Sequence, residues 1–113
     1  MAFGIPYARY RETRTFQLTE AEIHAAVEAA FQELHWRYRI EWGTEYKAWI
    51  PATNWSWHHD FTLKVKPNGV LEAESKSAYY ELLIDLGRNR RNVNLFFAMF
   101  KAAAAQAQQI PRD

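Results

Sequence analysis

Four consecutive segments between residues 37 and 77 alternate apolar and polar side chains, and this alternation limits the possible folds more than any other feature. A period of two is typical of β-strands that have one buried and one exposed face. Short turns separate the segments, with Gly43-Thr44 after the first and KPNG (66–69) before the last. The pattern predicts an antiparallel sheet. The predicted inward positions are Tyr38, Ile40 and Trp42; Tyr46, Ala48 and Ile50; Phe61, Leu63 and Val65; and Leu71, Ala73 and Ser75.

An amphipathic helix is predicted on each side of these strands. The sequence TEAE (19–22) is a capping box for the first helix, in which Thr19 caps the helix and Glu22 bonds back to the backbone. The first helix is expected at residues 20–36 and the second at residues 90–108. Their apolar faces are Ile23, Val27, Ala30, Phe31 and Leu34 in the first, and Val93, Phe96, Phe97, Phe100, Ala103, Ala104 and Ala107 in the second.

The segment 8–18 is a further strand candidate, because its aromatic residues and threonines are common in strands. Its arginines suit a sheet edge, where charge discourages pairing with other chains. The predicted fold is therefore α+β, in the order β-α-β-β-β-β-α: an antiparallel four- to five-stranded sheet with two helices packed on one face. The 113 residues, 49% of them hydrophobic, are expected to form a single domain (1–113), frayed at residues 1–7 and 109–113.

The composition excludes several kinds of chemistry. The chain has no cysteine, which removes disulfides, thiolate nucleophiles and cysteine-based metal sites. A net charge of +1 argues against a protein built mainly to coat nucleic acid or an anionic membrane. The first twenty residues lack the apolar core of a signal peptide. The longest apolar run, residues 95–100, is far shorter than the roughly 18 residues that span a bilayer. We therefore expect a cytoplasmic protein without a membrane span.

The sequence NWSWHHDF (54–61) is the strongest candidate for a metal site, and its spacing argues against one. Adjacent strand residues point to opposite faces, so His58 and His59 do not converge on one ion, although His58 and Asp60 share a face. No serine lies in a nucleophile motif, and the four glycines form no phosphate-binding loop. The sequence thus predicts no metal, no cofactor and no catalytic residue.

The sequence DLGRNRRN (85–92) combines a helix start with an unusual charge. Gly87 permits a sharp turn and Asn89 is a favourable N-cap, whereas Arg88, Arg90 and Arg91 place positive charge where acidic residues are preferred. One interpretation is an anion-binding site formed by Arg88, Asn89, Arg90 and Arg91 at the N-terminus of the last helix. The alternative is that Asp85, Glu81 or a strand glutamate neutralises these arginines within the protein.

A resemblance to a known family rests on the same region. The stretch SKSAYYELLIDLGRNRRNVNLFFAMF, after a Lys/Glu-faced hairpin and a capped helix ending in ELHW, resembles a family of small bacterial α/β domains of unknown function. Its ending I-D-x-G-x-N-x-x-N is matched by Ile84, Asp85, Gly87, Asn89 and Asn92, whereas Leu86 stands where many relatives would have an aromatic residue. The resemblance covers roughly residues 15–105. It implies a fold but no activity, and Asp85, Gly87 and Asn92 are expected to shape the turn structurally.

Three classes of function fit these observations. The favoured hypothesis is a non-enzymatic binding module that contacts a protein partner, or a second copy through the last helix, with the anion-binding site as a further element. Its expected contacts are Trp49, Trp55, Trp57, Leu95 and Met99. The second hypothesis is nucleic-acid binding by arginines interleaved with aromatic rings: Arg9, Arg11, Arg14, Arg37, Arg39, Arg88, Arg90 and Arg91 with Tyr7, Tyr10, Trp36 and Tyr38. The third is an enzyme acting on an anionic small molecule, for which Asp85 is the one acid near the arginines.

Overall fold

A computed structural model describes residues 9–51, 59–77 and 83–109, which form a five-stranded antiparallel sheet and two α-helices. This is the α+β fold predicted from the sequence, in the predicted order of elements. The elements are β1 (Arg9–Thr15), α1 (Glu20–Leu34), β2 (Arg37–Glu41), β3 (Glu45–Ile50), β4 (His59–Lys66), β5 (Val70–Ser77) and α2 (Leu83–Gln109), with a 3-10 turn at Pro67–Gly69.

The strands lie side by side in the order β1-β5-β4-β3-β2. Helix α1 carries the chain from β1 at one edge to β2 at the other, and the four later strands return as a meander that ends beside β1. The prediction that the N-terminal strand lies at a sheet edge is therefore confirmed. Among the described strands β2 forms the second edge, with a neighbour only on the β3 side.

Both helices pack on the same face of the sheet, which we call the inner face. Strand positions on this face alternate with exposed positions as predicted, and the buried ones join the apolar sides of α1 and α2 in one core. The fully buried large side chains include Tyr46, Phe61, Leu63 and Leu71 from the sheet and Phe31, Phe96, Phe97 and Phe100 from the helices. No described element covers the opposite, outer face of the sheet.

Helix α1 starts as predicted and ends slightly earlier. The Thr19 Oγ1 accepts a hydrogen bond from the Glu22 backbone N–H over 3.1 Å, and the Glu22 carboxylate accepts one from the Thr19 N–H over 2.8 Å. The helix ends at Leu34, because His35 adopts a left-handed conformation with φ 59° and turns the chain toward β2. The predicted capping box is confirmed.

Helix α2 begins at Leu83, seven residues before the predicted start, so the predicted turn around residues 85–92 is wrong. The backbone positions of Asp85 and Gly87 lie inside the helix rather than in a turn. Asn89 is not an N-cap, because it lies inside the helix, where its buried side chain accepts a hydrogen bond from Ser75 on β5. Asn92 also contacts Ser75, through a hydrogen bond donated by its Nδ2 over 3.2 Å.

The 27 residues of α2 span about 40 Å, so the helix is longer than the sheet strands that it crosses. Its first part packs on β1 and β5, and its second part runs beside α1, with which Ala103 and Ala104 line a shared cleft. Among the described residues, no helix is both long enough and apolar enough to cross a membrane.

Candidate functional site

The β2–β3 hairpin is the part of the described surface with the most features of a binding site. Its strands pair in register from Arg37 opposite Trp49 to Glu41 opposite Glu45. The connection comprises residues 42–44, in which Trp42 has φ 60° and Gly43 has φ 74°. A left-handed conformation costs a non-glycine residue roughly 1–2 kcal/mol, so the turn holds the Trp42 side chain at a conformational cost.

Exposed large apolar side chains are concentrated on this hairpin. Four such residues occur in the described part of the chain, and three of them belong to it: Trp42 with 91% of its surface exposed, Ile40 with 47% and Trp49 with 38%. The fourth is Leu95 on α2, with 38% exposed. Single exposed apolar residues are common on protein surfaces, whereas several in one place indicate an interaction site.

The three side chains lie around the β2 edge of the sheet. Ile40 lies on the inner face opposite Tyr46, where α1 leaves it half-exposed. Trp49 lies on the outer face, with the Arg39 guanidinium 5.3 Å from its ring centroid. Trp42 is at the tip. A strand entering beside β2 would therefore meet Tyr38 and Ile40 on the inner face and the charged side chains of β2 on the outer face.

The two sheet edges differ in how they resist pairing with another strand. On β1, Glu12 and Arg14 occupy the inner-face positions, where they form an ion pair and Arg14 lies 4.3 Å from the centroid of the Phe97 ring. Inward-pointing charges of this kind disfavour added strands. On β2 the corresponding positions are Tyr38 and Ile40. The β2 edge therefore lacks the protection that β1 has.

A cleft of about 680 Å³ lies at the other end of the hairpin. It is lined by His35, Arg37, Tyr38, Trp49, Ile50 and Pro51. The cleft combines an aromatic wall with the cation of Arg37, which forms no ion pair with a carboxylate among the described residues. The cleft therefore continues the exposed apolar surface of the hairpin to the end where β2 begins and β3 ends.

The outer face of the sheet is covered mainly by charged side chains. Eight basic and five acidic side chains occupy its strand positions: Arg9, Arg11, Arg37, Arg39, Lys47, Lys64, Lys66 and Lys76 against Glu41, Glu45, Asp60, Glu72 and Glu74. Most are held in ion pairs, such as Arg11–Glu74 at 3.0 Å and Lys66–Glu72 at 3.0 Å. The hydrogen bond from Lys66 is the main reason that the pKa of Glu72 lies below its usual value.

A polar cluster lies beneath the hairpin, between α1 and the sheet. Tyr46 is fully buried, and its hydroxyl is 2.5 Å from His24 Nδ1. Tyr38 donates a hydrogen bond to Glu28 over 3.2 Å. Burial, followed by the negative charge of Glu28, raises the pKa of Tyr46 to about 12. His24 and Glu28 are not part of the predicted apolar face of α1, yet both contact tyrosines of the sheet.

The predicted anion-binding site at the N-terminus of α2 is wrong in its geometry. Arg88, Asn89, Arg90 and Arg91 lie more than one turn inside the helix, beyond the first turn where the helix dipole and free N–H groups attract anions. Arg90 lies close enough to Glu12 to help lower the pKa of that carboxyl, after the larger effect of Arg14. The local sequence suggested a helix start because Gly87 and Asn89 are typical of one, but burial of Asn89 against Ser75 stabilises helix there instead.

The residues predicted to contact a partner do not lie on one surface of the described structure. Trp49 is exposed on the hairpin, Leu95 is exposed on α2, and Met99 is partly buried against the core. Trp55 and Trp57 lie outside the described residues. Ile40 and Trp42 were not predicted as contacts, because their alternation placed them on the buried face. The one available signal was the position of Trp42 directly before the turn at Gly43.

The predicted arginine and aromatic stripe is divided between the two faces of the sheet. Arg9, Arg11, Arg37 and Arg39 lie on the outer face, whereas Tyr10 and Tyr38 lie on the inner face and Trp36 is buried. Single-stranded nucleic acids stack on exposed rings beside cations. Here the acidic side chains Asp60 and Glu74 lie between the arginines of the two edges, which weakens the support for this interpretation.

The histidines are also separated. His59 is buried on the inner face and Asp60 is exposed on the outer face, while His58 is outside the described residues. In the described ranges, no three histidine, aspartate or glutamate side chains gather in a way that could hold a metal ion.

No protein-family model matches the chain, and no curated protein is significantly similar to it in sequence. The resemblance to small bacterial α/β domains therefore stays a prediction.

Proposed function

We propose that the protein is a non-enzymatic interaction module that binds a protein partner with its β2–β3 hairpin. The single observation that carries this proposal is the grouping of Ile40, Trp42 and Trp49 around an open strand edge. Aromatic side chains and arginine are enriched in protein–protein interfaces, and an exposed strand edge offers backbone donors and acceptors to a partner.

The conformation of Trp42 gives further support. A turn that holds a bulky residue at φ 60° with its side chain in solvent gains no stability from that residue within the chain. Strained backbone conformations are often found at functional sites. Binding of a partner would bury this side chain and account for its position.

The proposal is tested by comparing what variants of the protein capture from a lysate of its own organism. The immobilised wild-type chain is compared with Trp42→Ala and Ile40→Lys, and the captured proteins are identified by mass spectrometry. We expect specific proteins that bind the wild type to be reduced at least tenfold with either variant, because the variants remove the proposed contacts.

The matched control is Leu95→Lys, which changes an exposed apolar residue with the same exposed fraction as Trp49 but on α2. It should capture the same proteins as the wild type. Equal capture by the hairpin variants and the wild type would contradict the proposal, and loss of capture with Leu95→Lys alone would transfer the binding surface to α2.

A further inference from the structure

We infer that the hairpin takes a second copy of the same chain as its partner, with the two β2 strands paired antiparallel about a two-fold axis at Ile40. This inference rests on the proposed function, because it uses the same edge and names its occupant. In this arrangement the two five-stranded sheets join edge to edge, and both copies use the same surface, as in most dimers.

The charges of the hairpin are the main argument for a second copy. Within one chain, Arg39 lies directly opposite Lys47, and Glu41 lies directly opposite Glu45. Like charges opposite each other on adjacent strands are unfavourable. Each hairpin balances them along its own strands, through ion pairs of Arg39 with Glu41 at 2.6 Å and of Lys47 with Glu45 at 3.1 Å. Each hairpin therefore carries a basic row next to an acidic row on its outer face.

Antiparallel pairing centred on Ile40 brings these rows together with opposite signs. Arg39 of each copy faces Glu41 of the other, so that the basic row of one copy continues into the acidic row of the second. Moving the centre to Arg39 would instead place the two Arg39 side chains opposite each other, with Lys47 beside each of them. Charge complementarity thus selects one register of the β2 strands.

The apolar side chains fit the same register. The two copies of Ile40 meet at the two-fold axis on the inner face, and Tyr38 of each copy faces Trp42 of the other. These contacts would cover the side chains that are 47% and 91% exposed in the single chain. The contact is small, on the order of the roughly 1,200 Å² at the low end of specific interfaces, so dimers are expected at micromolar to millimolar concentrations.

The first experiment measures mass by sedimentation equilibrium, with the purified full chain at concentrations up to about 1 mM. We expect a concentration-dependent species of twice the 13.3 kDa chain mass. Ile40→Lys is expected to weaken this association at least tenfold, because it places two cations at the axis, whereas Leu95→Lys leaves it unchanged.

The second experiment uses charge reversal to test the register. Arg39→Glu makes both charged positions beside the two-fold axis acidic and Glu41→Arg makes both basic, so each variant alone is expected to dimerise about tenfold more weakly than the wild type. Mixing the two in equal amounts restores opposite charges at both positions, and heterodimers should form at least as readily as wild-type dimers. Each change also places opposite charges across β2 and β3, so both variants are expected to fold.

The outcomes separate this inference from the proposed function. The inference that a second copy pairs with β2 is wrong if the wild type and the variant mixture are both monomeric up to about 1 mM. It is also wrong if Ile40→Lys dimerises as strongly as the wild type. Proteins other than this chain that are captured by the wild type and lost with the hairpin variants would still support the interaction module. Equal capture by all variants would overturn both.

Discussion

Ser75 on β5 donates a hydrogen bond from its Oγ to Oδ1 of Asn89 on α2 over 2.7 Å, and both side chains are fully buried. Asn92, one turn later, donates to the same Ser75 oxygen. This contact fixes α2 in both rotation and position along the sheet. Polar groups are costly to bury without partners, so the three side chains specify one arrangement of helix and strand.

Replacing Asn89 with leucine is expected to reduce the free energy of unfolding by about 2–3 kcal/mol. The change leaves the buried Ser75 hydroxyl without the acceptor for its hydrogen, and an unsatisfied buried polar group costs more than the net value of one hydrogen bond. The double variant Ser75→Ala/Asn89→Leu should recover part of the loss, because both partners are then apolar. Urea unfolding of both variants measures their free energies of unfolding. A double variant less stable than Asn89→Leu alone would contradict the role given to the contact.

Two glycines with nearly the same φ angle are expected to respond differently to substitution. Gly69 has φ 76°, and a Cβ there would collide with the carbonyl oxygen of Phe16, whose N–H donates to Gly69 over 2.8 Å. Gly43 has φ 74° but open space around it. Gly69→Ala should therefore cost about 3 kcal/mol or more, and Gly43→Ala about 1–2 kcal/mol. If thermal unfolding shows the same loss of stability for both variants, the close approach of Gly69 to Phe16 has no energetic importance.

Stability is expected to fall at alkaline pH because of Tyr46. Its pKa is raised from 10.0 to about 12, mainly by burial, so the unfolded chain releases this proton at a lower pH than the folded chain. The free energy of unfolding should therefore decrease as the pH rises from about 10 to about 12. Tyr46→Phe should show a smaller decrease, with a residual part from Tyr10 and Tyr38, whose pKa values are also raised. An unchanged pH dependence in this variant would contradict the assignment.

At neutral pH, Tyr46→Phe is also expected to lower the free energy of unfolding by about 1–2 kcal/mol, because the partly buried His24 loses its hydrogen-bond partner. Chemical denaturation at pH 7 measures this loss. His24→Ala in the same background should add little further, since its contact is already gone, and a second loss of the same size would show that His24 acts elsewhere.

Trp42→Asn is expected to separate stability from binding. Asparagine adopts left-handed backbone conformations more readily than tryptophan, so the variant should be as stable as the wild type or more stable by about 1 kcal/mol. Self-association and partner capture should decrease, because the most exposed aromatic ring is removed. Thermal unfolding and sedimentation on the same sample test both. A stability loss together with unchanged association would mean that the ring serves the fold.

The order of the elements and the inner face of the sheet could be predicted because they follow from local patterns. The alternation around Leu63 and Leu71 and the capping box at Thr19 depend on residues only a few positions apart in the chain. The start of α2 could not be predicted in this way. Gly87 and Asn89 suggest a helix start by their local preferences, but the buried contact with Ser75 comes from a strand that is distant in the sequence.

The candidate site, like the fold, could be predicted only in part from local patterns. Alternation correctly placed Ile40 on the inner face with Tyr38, and placed Trp49 on the outer face. Alternation does not say how far a neighbouring helix reaches, so the exposure of Ile40 depends on where α1 lies above the sheet. Amphipathic patterning within the sequence therefore determined the fold class and the facing of each strand, since burial of apolar surface drives both. Only the tertiary structure decided which edge of the sheet stays open, because that depends on the packing of elements far apart in the chain.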